Sequence, residues 1–410
     1  TNRSIRMGRT VFASIEEAVD DMKKGKMIIV ADDKNRENES DLIAAGQTAA
    51  PEQVNFMVMY ARGLLCMPVS GRIADRLQLE PMTARNTDNH CTAFTVSVDA
   101  VETTTGISVF DRCLTAQKLA DPESNTACFR RPGHLFPLIA RDGGVLCRRG
   151  HTEATVDLCR MAGFQEAGLC CEIMNDDGHM ARLPEVMRLS EKWGIKLVTI
   201  EALSAYRKAH EIITELAAES ALPTRFGLFK IFAFVNKITG QEHAALVMGD
   251  ITGSSPVLCR IHSQCITGDT FGSLRCDCGQ QLDAALKMIA EEGRGVLIYL
   301  AQEGRGIGFA NKIRAYGLQD TGCDTVDANL KLGFPEDARD YTDGTQILKL
   351  LNVHTIRLVT NNPRKLQELA SAESGIKITE RIPLEIKPQQ YDCAYLRTKK
   401  YRMGHLLTNV

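Results

Sequence analysis

Hydrophobic and polar positions follow two rhythms along the chain, and their alternation predicts the elements. Ser14 and Glu17 form a capping-box pattern ahead of "IEEAVDDMKKG", so a helix is predicted that ends at Gly25. The apolar run "KMIIVA" then predicts a short buried strand, which opens directly into the polar loop "DDKNRENESD". A helix over "PEQVNFMVMYAR" and a strand over "GLLCMPV" continue the alternation as far as "GIKLVTIEAL". After "SAYRKAHEIITELAAES", Pro223 and Gly227 in "ALPTRFG" break the pattern, placing a domain boundary near residues 206–222. The second half restarts with the strands "GLFKIFAFVN" and "HAALVMGDI". The helix "QQLDAALKMIAEEG" then precedes the strands "GVLIYL" and "TIRLVT". The expected class is α+β (mixed α/β), in two domains, 1–206 and 207–410, each a mixed sheet covered by helices. No internal repeat or low-complexity segment interrupts this organisation.

Composition narrows the functional classes. The chain has 410 residues, 44% apolar and 24% charged, with a net charge of −2. That balance argues against a nucleic-acid or membrane-surface binder working by bulk electrostatics. The one basic stretch, "RTKKYR" (Arg397 to Arg402), reads as a solvated C-terminal face. No apolar run approaches the ~18 residues of a membrane span. The 14 cysteines are scattered, which fits reduced thiols in an intracellular, soluble protein better than a disulfide framework. The expected location is the cytoplasm, or a plastid stroma where a transit peptide is removed.

Three cysteines stand apart from the rest. In "HSQCITGDTFGSLRCDCG", Cys265, Cys276 and Cys278 are spaced C-x10-C-x-C with no second pair to complete a structural zinc site. Cys259 lies in the apolar strand "SPVLCRIHS" and reads as a core thiol. Three ligands with an open fourth position describe a catalytic zinc that carries water, whose pKa falls toward ~7. The alternative of three unligated core thiols sits poorly beside Arg275, Asp277 and Gly279.

Glycine-rich stretches follow. Gly293 in "EEGRGV" reads as a helix C-cap. "QEGRGIG" lies between a strand and a helix, where backbone N–H groups can face phosphate with Arg305 adding charge. "TNNPRK" likewise ends a strand and opens a helix at Pro363, with Lys365 able to reach an anion. A zinc-water site beside two such loops points to hydrolysis of a phosphorylated substrate.

These motifs, together with "GFANKIRAYGLQDTGCDTVDAN", "LGFPEDARDY" and "RMGHLL", resemble GTP cyclohydrolase II over most of residues 220–406. The resemblance implies opening of the imidazole ring of GTP with release of formate and pyrophosphate. It assigns zinc to Cys265, Cys276 and Cys278. It places nucleotide contacts at Arg260, His262, Gln264, Gln281, Glu303, Gly304, Arg305, Thr325, Thr360 and Lys365. Asp337 is implied as the proton acceptor and Arg339 as the group acting at the α-phosphorus. A guanidinium, with a pKa above ~12, suits charge stabilisation better than nucleophilic attack. Two positions depart from the family: Gln264 stands where glutamate is usual, and Ala301 where arginine is frequent.

In the first half, "DDKNRENESD" packs Asp32, Asp33, Glu37, Glu39 and Asp41 into ten residues. By composition alone the loop reads more readily as a solvated acidic surface. As a site, it suits a hard cation such as magnesium, with Arg36 available for an oxyanion. A second polar cluster, "RRGHTEAT", offers His151 to complete that site and Arg148 and Thr152 to hold phosphate. With "RRPGHLFPL", "CEIMNDDG", "NTDNHCTAFTVSVDA" and "TTGISVFDR", these stretches resemble 3,4-dihydroxy-2-butanone 4-phosphate synthase over roughly residues 10–206. The resemblance implies conversion of ribulose 5-phosphate to the four-carbon phosphate and formate, with magnesium or manganese. Glu37 and His151 become metal ligands; Arg36, Asp41, Arg148 and Thr152 become substrate contacts. His134 and Glu172 become the acid/base pair. Here Asn35 replaces an aspartate, Ser40 and Cys91 replace glycines, and Phe110 adds bulk to its loop. A serine forced into a left-handed backbone at position 40 would cost about 1 kcal/mol and shift Asp41.

Together the resemblances imply a bifunctional enzyme of riboflavin biosynthesis, expected as a homodimer with small-molecule substrates and no nucleic-acid or membrane partner. One alternative keeps the cyclohydrolase half active and leaves the N-terminal half as a dimerising scaffold. Another is a zinc-bearing nucleotide-binding module without turnover, which the presence of Asp337 and Arg339 argues against.

Overall fold

The structure, a computed structural model, describes residues 12–371, 374–389 and 391–408. The chain divides into two compact units between Lys208 and Ala209. The first runs α1 (Ile15–Lys23), β1 (Ile28–Ala31), β2 (Ser40–Ala45), α2 (Pro51–Phe56), β3 (Cys66–Ser70), α3 (Gly71–Leu77) and β4 (Val98–Ala100). It continues through α4 (Val109–Ala120), β5 (Phe129–Ala140), α5 (His151–Met161), β6 (Gly168–Glu172), α6 (Leu183–Trp193), β7 (Leu197–Thr199) and α7 (Ile200–His210).

The predicted opening helix has both halves of its capping box: Ser14 Oγ accepts from the Glu17 N–H at 3.2 Å, and Glu17 Oε2 accepts from the Ser14 N–H at 2.9 Å. Its chain then turns through Gly25 at φ 72°. The first sheet has the order β4-β5-β3-β6-β2-β1-β7. β1 is antiparallel to β2 but parallel to β7, so the sheet is mixed. Both its faces are covered, which explains why "IIVA" is apolar throughout. Ile29 and Ala31 pack into one core with residues of α3 and α4, whereas Ile28 and Val30 pack into the other with α1 and α5. The predicted helix over "PEQVNFMVMYAR" forms as α2 followed by a wider helical turn, Met57–Ala61, which Arg62 ends at φ 71°.

The second unit runs β8 (Thr214–Thr224), β9 (Gly227–Asn236), β10 (Glu242–Met248), β11 (Val257–Ser263), α8 (Cys278–Glu292), β12 (Gly295–Leu300) and α9 (Phe309–Asp320). It ends with α10 (Thr325–Lys331), α11 (Thr342–Leu350), β13 (Thr355–Val359), α12 (Pro363–Leu369), β14 (Lys377–Ile382) and α13 (Cys393–Tyr401). Residues 214–222 already belong to β8, so Pro223 and Gly227 shape a hairpin instead of a linker. Proline is tolerated there because β8 is an edge strand. The sheet order is β14-β13-β11-β12-β10-β9-β8. Strands β11 to β14 pair in parallel, while β12, β10, β9 and β8 pair antiparallel. β11 lies between β12 and β13, so the connections leave it in opposite directions. Ligands in open parallel sheets bind at the carboxyl ends of strands flanking such a switch point.

Candidate active sites

In the first unit the acidic loop winds around one buried carboxylate. Asp32 Oδ1 accepts from the Glu39 N–H at 3.0 Å, and its Oδ2 accepts from the Glu37 N–H at 3.1 Å and from Arg36 Nη1 at 3.0 Å. Asn38 takes the left-handed turn that closes the loop, at φ 56°. Ser40 therefore needs no special backbone; it is a buried strand residue opposite Ala31. Asn35 is exposed, with its N–H on Asp33. The left-handed position falls instead on Cys91, at φ 52°, in an exposed turn. Phe110 projects from α4 and is 70% exposed, so its bulk is not packed within this unit.

His151 opens α5 and reaches back to this loop. Its Nε2 lies 3.2 Å from the Val30 carbonyl, so the proton there faces the backbone and Nδ1 faces the carboxylates. Nδ1 is 3.6 Å from Glu37 and 3.7 Å from Asp41. Burial opposes charge on Glu37, but His151 and Arg36 prevail and hold its carboxyl at about 2. Burial pushes Asp41 up to about 7, with Glu172, Glu37 and Glu39 adding to the push and His151 opposing it. Burial disfavours the His151 imidazolium too, yet the Asp41 and Glu37 carboxylates raise it to about 9.

The donor set fits a hard dication. One ligand atom each from Asp32, Glu37 and His151 lies within 4.8 Å of the others. Asp41 Oδ1 is buried without a hydrogen-bond partner beside them, a costly state that a cation would relieve. Glu172 sits opposite Asp41 in the β2–β6 register and accepts from the Leu64 N–H at 2.9 Å.

The other expected residues have different neighbours. Arg148 Nη1 binds Glu153 at 2.7 Å, and Nη2 reaches the His90 carbonyl at 3.2 Å. Thr152 is buried at the start of α5. His134 Nδ1 pairs with Asp99 Oδ2 at 2.8 Å, and its backbone N–H donates to Asp99 Oδ1, also at 2.8 Å. With Asp99 accepting at Nδ1, Nε2 of this half-exposed ring is left to exchange protons. Asp99, and Arg182, which donates to the carbonyls of Glu37 and Asn38, are neighbours of these candidates that the sequence motifs did not single out.

In the second unit the site lies at the carboxyl ends of β11, β12 and β13. Cys265 follows β11, while Cys276 and Cys278 flank the start of α8. Their ligand atoms lie within 4.8 Å of one another, with Cys265 and Cys276 sulfurs 3.7 Å apart. Gly268 crosses above them: a Cβ there would meet the Cys276 and Cys265 sulfurs at 3.0 and 3.1 Å. Hydrogen bonds from Cys276 and Cys278, with the Lys312 ammonium beside it, hold Cys265 far below the ordinary thiol range. The other two are pushed up, Cys276 to about 11, because they donate to that thiolate. A dication would allow all three to ionise, so the donor set fits zinc. Cys259 is fully buried in β11, the core thiol its strand context predicted.

Around the cluster, one cavity is lined by Arg260, His262, Gln264, Gln281, Glu303, Gly304, Arg305, Thr325, Arg339, Thr360 and Lys365, all expected in this site. Gly304 and Arg305 adopt φ 64° and 61°, so "QEGRGIG" is a tight left-handed turn aiming Arg305 at the cavity. Gly293 caps α8 at φ 71°, as predicted. Asn362 caps α12 and Pro363 is its first residue, which sets Lys365 one turn in. Lys365 is buried and donates to the Ile261 carbonyl at 2.7 Å; burial, then Arg260 and Arg339, drive its pKa well down. Arg339 grips Asp337 through two hydrogen bonds of 2.9 and 2.6 Å. Burial opposes the Asp337 charge, but this grip holds the carboxyl at about 2. A carboxylate so held is a weak base, and accepting a proton would require the pair to open.

Several cavity residues were not foreseen. Lys312 donates to Cys265 Sγ at 3.0 Å and to Glu303 at 2.7 Å, and Tyr316 bonds Thr267 at 3.1 Å. Asp269 accepts from the Cys265 N–H and the Tyr299 hydroxyl and pairs with His262 at 3.1 Å. The reading of "RTKKYR" as a solvated face is corrected: Lys399 is 8% exposed and donates to Asp277 at 2.7 Å. Helix α13 turns Lys399 inward to the buried Asp277, between two of the thiols, while Arg397, Tyr401 and Arg402 stay exposed.

Residues 16–206 match the 3,4-dihydroxy-2-butanone 4-phosphate synthase family, and residues 215–383 match GTP cyclohydrolase II. Fold and sites thus define a two-domain enzyme, a lyase unit followed by a hydrolase unit. The chain is 54% identical to riboflavin biosynthesis protein RibBA of Bacillus cereus and equally to that of Bacillus mycoides, covering 97% of this chain and 100% of each relative. Among solved structures it is similar to RibBX, a two-domain 3,4-dihydroxy-2-butanone 4-phosphate synthase from A. baumannii. That likeness has a TM-score of 0.67 and 30% identity, covering 92% of this chain and all of the other. The chain belongs to the RibBA family of bifunctional riboflavin biosynthesis enzymes. No described helix is long and apolar enough to cross a membrane.

Proposed function

We propose that both units are catalytic and that the residues assembled above carry the two reactions. The N-terminal domain, 1–206, takes ribulose 5-phosphate, and the C-terminal domain, 207–410, takes GTP. The observation that carries this reading is that each unit gathers its own potential metal ligands, Asp32–Glu37–His151 in one and Cys265–Cys276–Cys278 in the other. Nothing in the geometry favours a scaffold role for the first unit, because Asn35 and Ser40 leave the Glu37–His151 arrangement intact.

In the first unit, Glu37 and His151 would hold magnesium or manganese, with Asp41 beside them. A hard cation there supplies polarisation of substrate oxygens. Arg36, Arg148 and Thr152 bind substrate, while His134 and Glu172 move protons on the carbons next to the carbonyl. In the second unit, the three cysteinates would hold zinc, which supplies a water of lowered pKa. Arg260 and Arg305 offer charge to the triphosphate, and Lys365, whose ammonium burial disfavours, offers a hydrogen-bond donor. Arg339 stabilises negative charge developing at phosphorus, and Asp337 aims it and accepts the proton once the pair opens. Gln264 keeps a hydrogen-bonding group in the cavity where a carboxylate is usual. We place the protein as a homodimer in a reducing compartment, cytoplasm or plastid stroma. All 14 cysteines are free thiols, which supports that compartment.

The test uses one detector, because both reactions release formate. Cys276→Ser should cut formate from GTP by at least roughly a hundredfold and leave formate from ribulose 5-phosphate intact. Glu37→Gln should do the reverse. Loss of both activities in either variant would sink the assignment of separate sites.

A further inference from the structure

The C-terminal segment forms a wall of the nucleotide cavity. After α13 the chain turns back, with the His405 N–H on the Lys399 carbonyl and the Leu406 N–H on the Asn361 carbonyl, both at 2.9 Å. Leu407 is buried and anchors the end. This path brings Tyr395, Lys399, Met403 and His405 into the cavity that Cys265, Arg305 and Lys365 line.

Two independent observations show what the wall is built to meet. First, five residues that line this cavity each carry a buried polar atom without a hydrogen-bond partner: Arg260 Nε, His262 Nδ1, Ser263 Oγ, Arg305 Nη1 and His405 Nε2. Buried polar groups without partners are rare in folded proteins, and five around one cavity imply a ligand that satisfies them. Second, the lining carries Arg260 and Arg305, which meet no carboxylate within ion-pair distance among the described residues, beside cations already paired, Lys399 with Asp277, Arg339 with Asp337 and Lys312 with Glu303. Such an excess of positive charge selects an anion. Burial, then Lys399, Arg339, Arg305 and Lys365, depress His405 to about 3. The ring is therefore neutral among cations. A neutral imidazole still donates one N–H, and an arriving anion would offset the surrounding charge.

We propose that His405 is a phosphate-binding residue of the nucleotide site, held in place by a strap formed from Met403 to Leu407. It donates from Nε2 to a phosphate oxygen, while Lys399 sets the position of the strap through the Asp277 pair and the His405 backbone. This deepens the reading of the second unit as the GTP site and rests on it.

The experiment measures binding of inorganic triphosphate, guanosine and GTP to the zinc-loaded full chain, for the parent protein, His405→Ala and His405→Asn. Zinc content and an unchanged thermal transition report that the variants are folded. For His405→Ala, triphosphate and GTP should bind roughly tenfold more weakly, the scale of one charge-assisted hydrogen bond, with guanosine unchanged. His405→Asn, which keeps an N–H donor, should recover part of that loss. Unchanged triphosphate affinity, or an equal loss for guanosine, would overturn the proposal. If His405→Ala loses its zinc, His405→Asn decides: selective weakening of triphosphate supports the proposal and equal weakening of guanosine rejects it. Failure of the underlying GTP reading would show separately, as a parent protein that binds no GTP.

Discussion

Single residues decide whether each site can form. Gly268 is the clearest case, since any side chain there enters the space of two thiol sulfurs. Gly268→Ala should lower bound zinc below one per chain and reduce formate from GTP in proportion, leaving ribulose 5-phosphate chemistry alone. Full zinc occupancy in that variant, by metal analysis, would show that the cluster has more room than its geometry indicates. Cys91 illustrates a different cost. At φ 52° its side chain works against the backbone, by about 1–2 kcal/mol, and part of that would return on substitution by glycine. Cys91→Gly should therefore raise the unfolding free energy of the first unit by up to about 1 kcal/mol, measured by urea titration. A decrease would mean that the side chain makes compensating contacts. The glycine replacements were visible in the sequence, but which one carries strain was not. Ser40 and Cys91 look alike as substitutions; only the folded loop shows that Asn38 absorbs the left-handed turn beside Ser40.

Elements bring those residues together, and their arrangement explains which parts of the sites were legible. Strand-end loops such as "QEGRGIG" and "TNNPRK" announce themselves because glycine, arginine and a helix-opening proline follow an apolar run. Residues on helices packed from elsewhere carry no such mark. Lys399 meets Asp277 across 122 sequence positions, and its neighbours Lys400 and Arg402 made the stretch look solvated. Lys312 reads as an ordinary polar position of α9 until tertiary packing sets it against Cys265. The Lys399–Asp277 pair is buried on both sides, so breaking it leaves an unpaired charge beside the thiols. Lys399→Met should destabilise the second unit by about 3–5 kcal/mol, seen as a lowered thermal transition. The double variant with Asp277→Asn should recover much of it. A single variant with unchanged transition would mean that water, not Lys399, satisfies Asp277.

At the scale of the whole molecule, two folds share one design. Each is a mixed sheet with helices on its faces, and each places charged loops at strand ends. Buried apolar strands made that architecture readable from periodicity alone. The division between Lys208 and Ala209 falls within the expected window, but Pro223 and Gly227 belong to the β8–β9 hairpin, because proline in an edge strand resembles proline in a linker. The two products come from different starting materials and neither is a substrate for the other site, so the account predicts independent turnover. Formate release is the direct test: purified protein with zinc and magnesium, offered GTP alone, ribulose 5-phosphate alone, and both together. The account predicts formate from each substrate and an additive rate from the pair. Formate from GTP only would contradict it, leaving the Glu37–His151 cluster a structural feature of an inactive first unit.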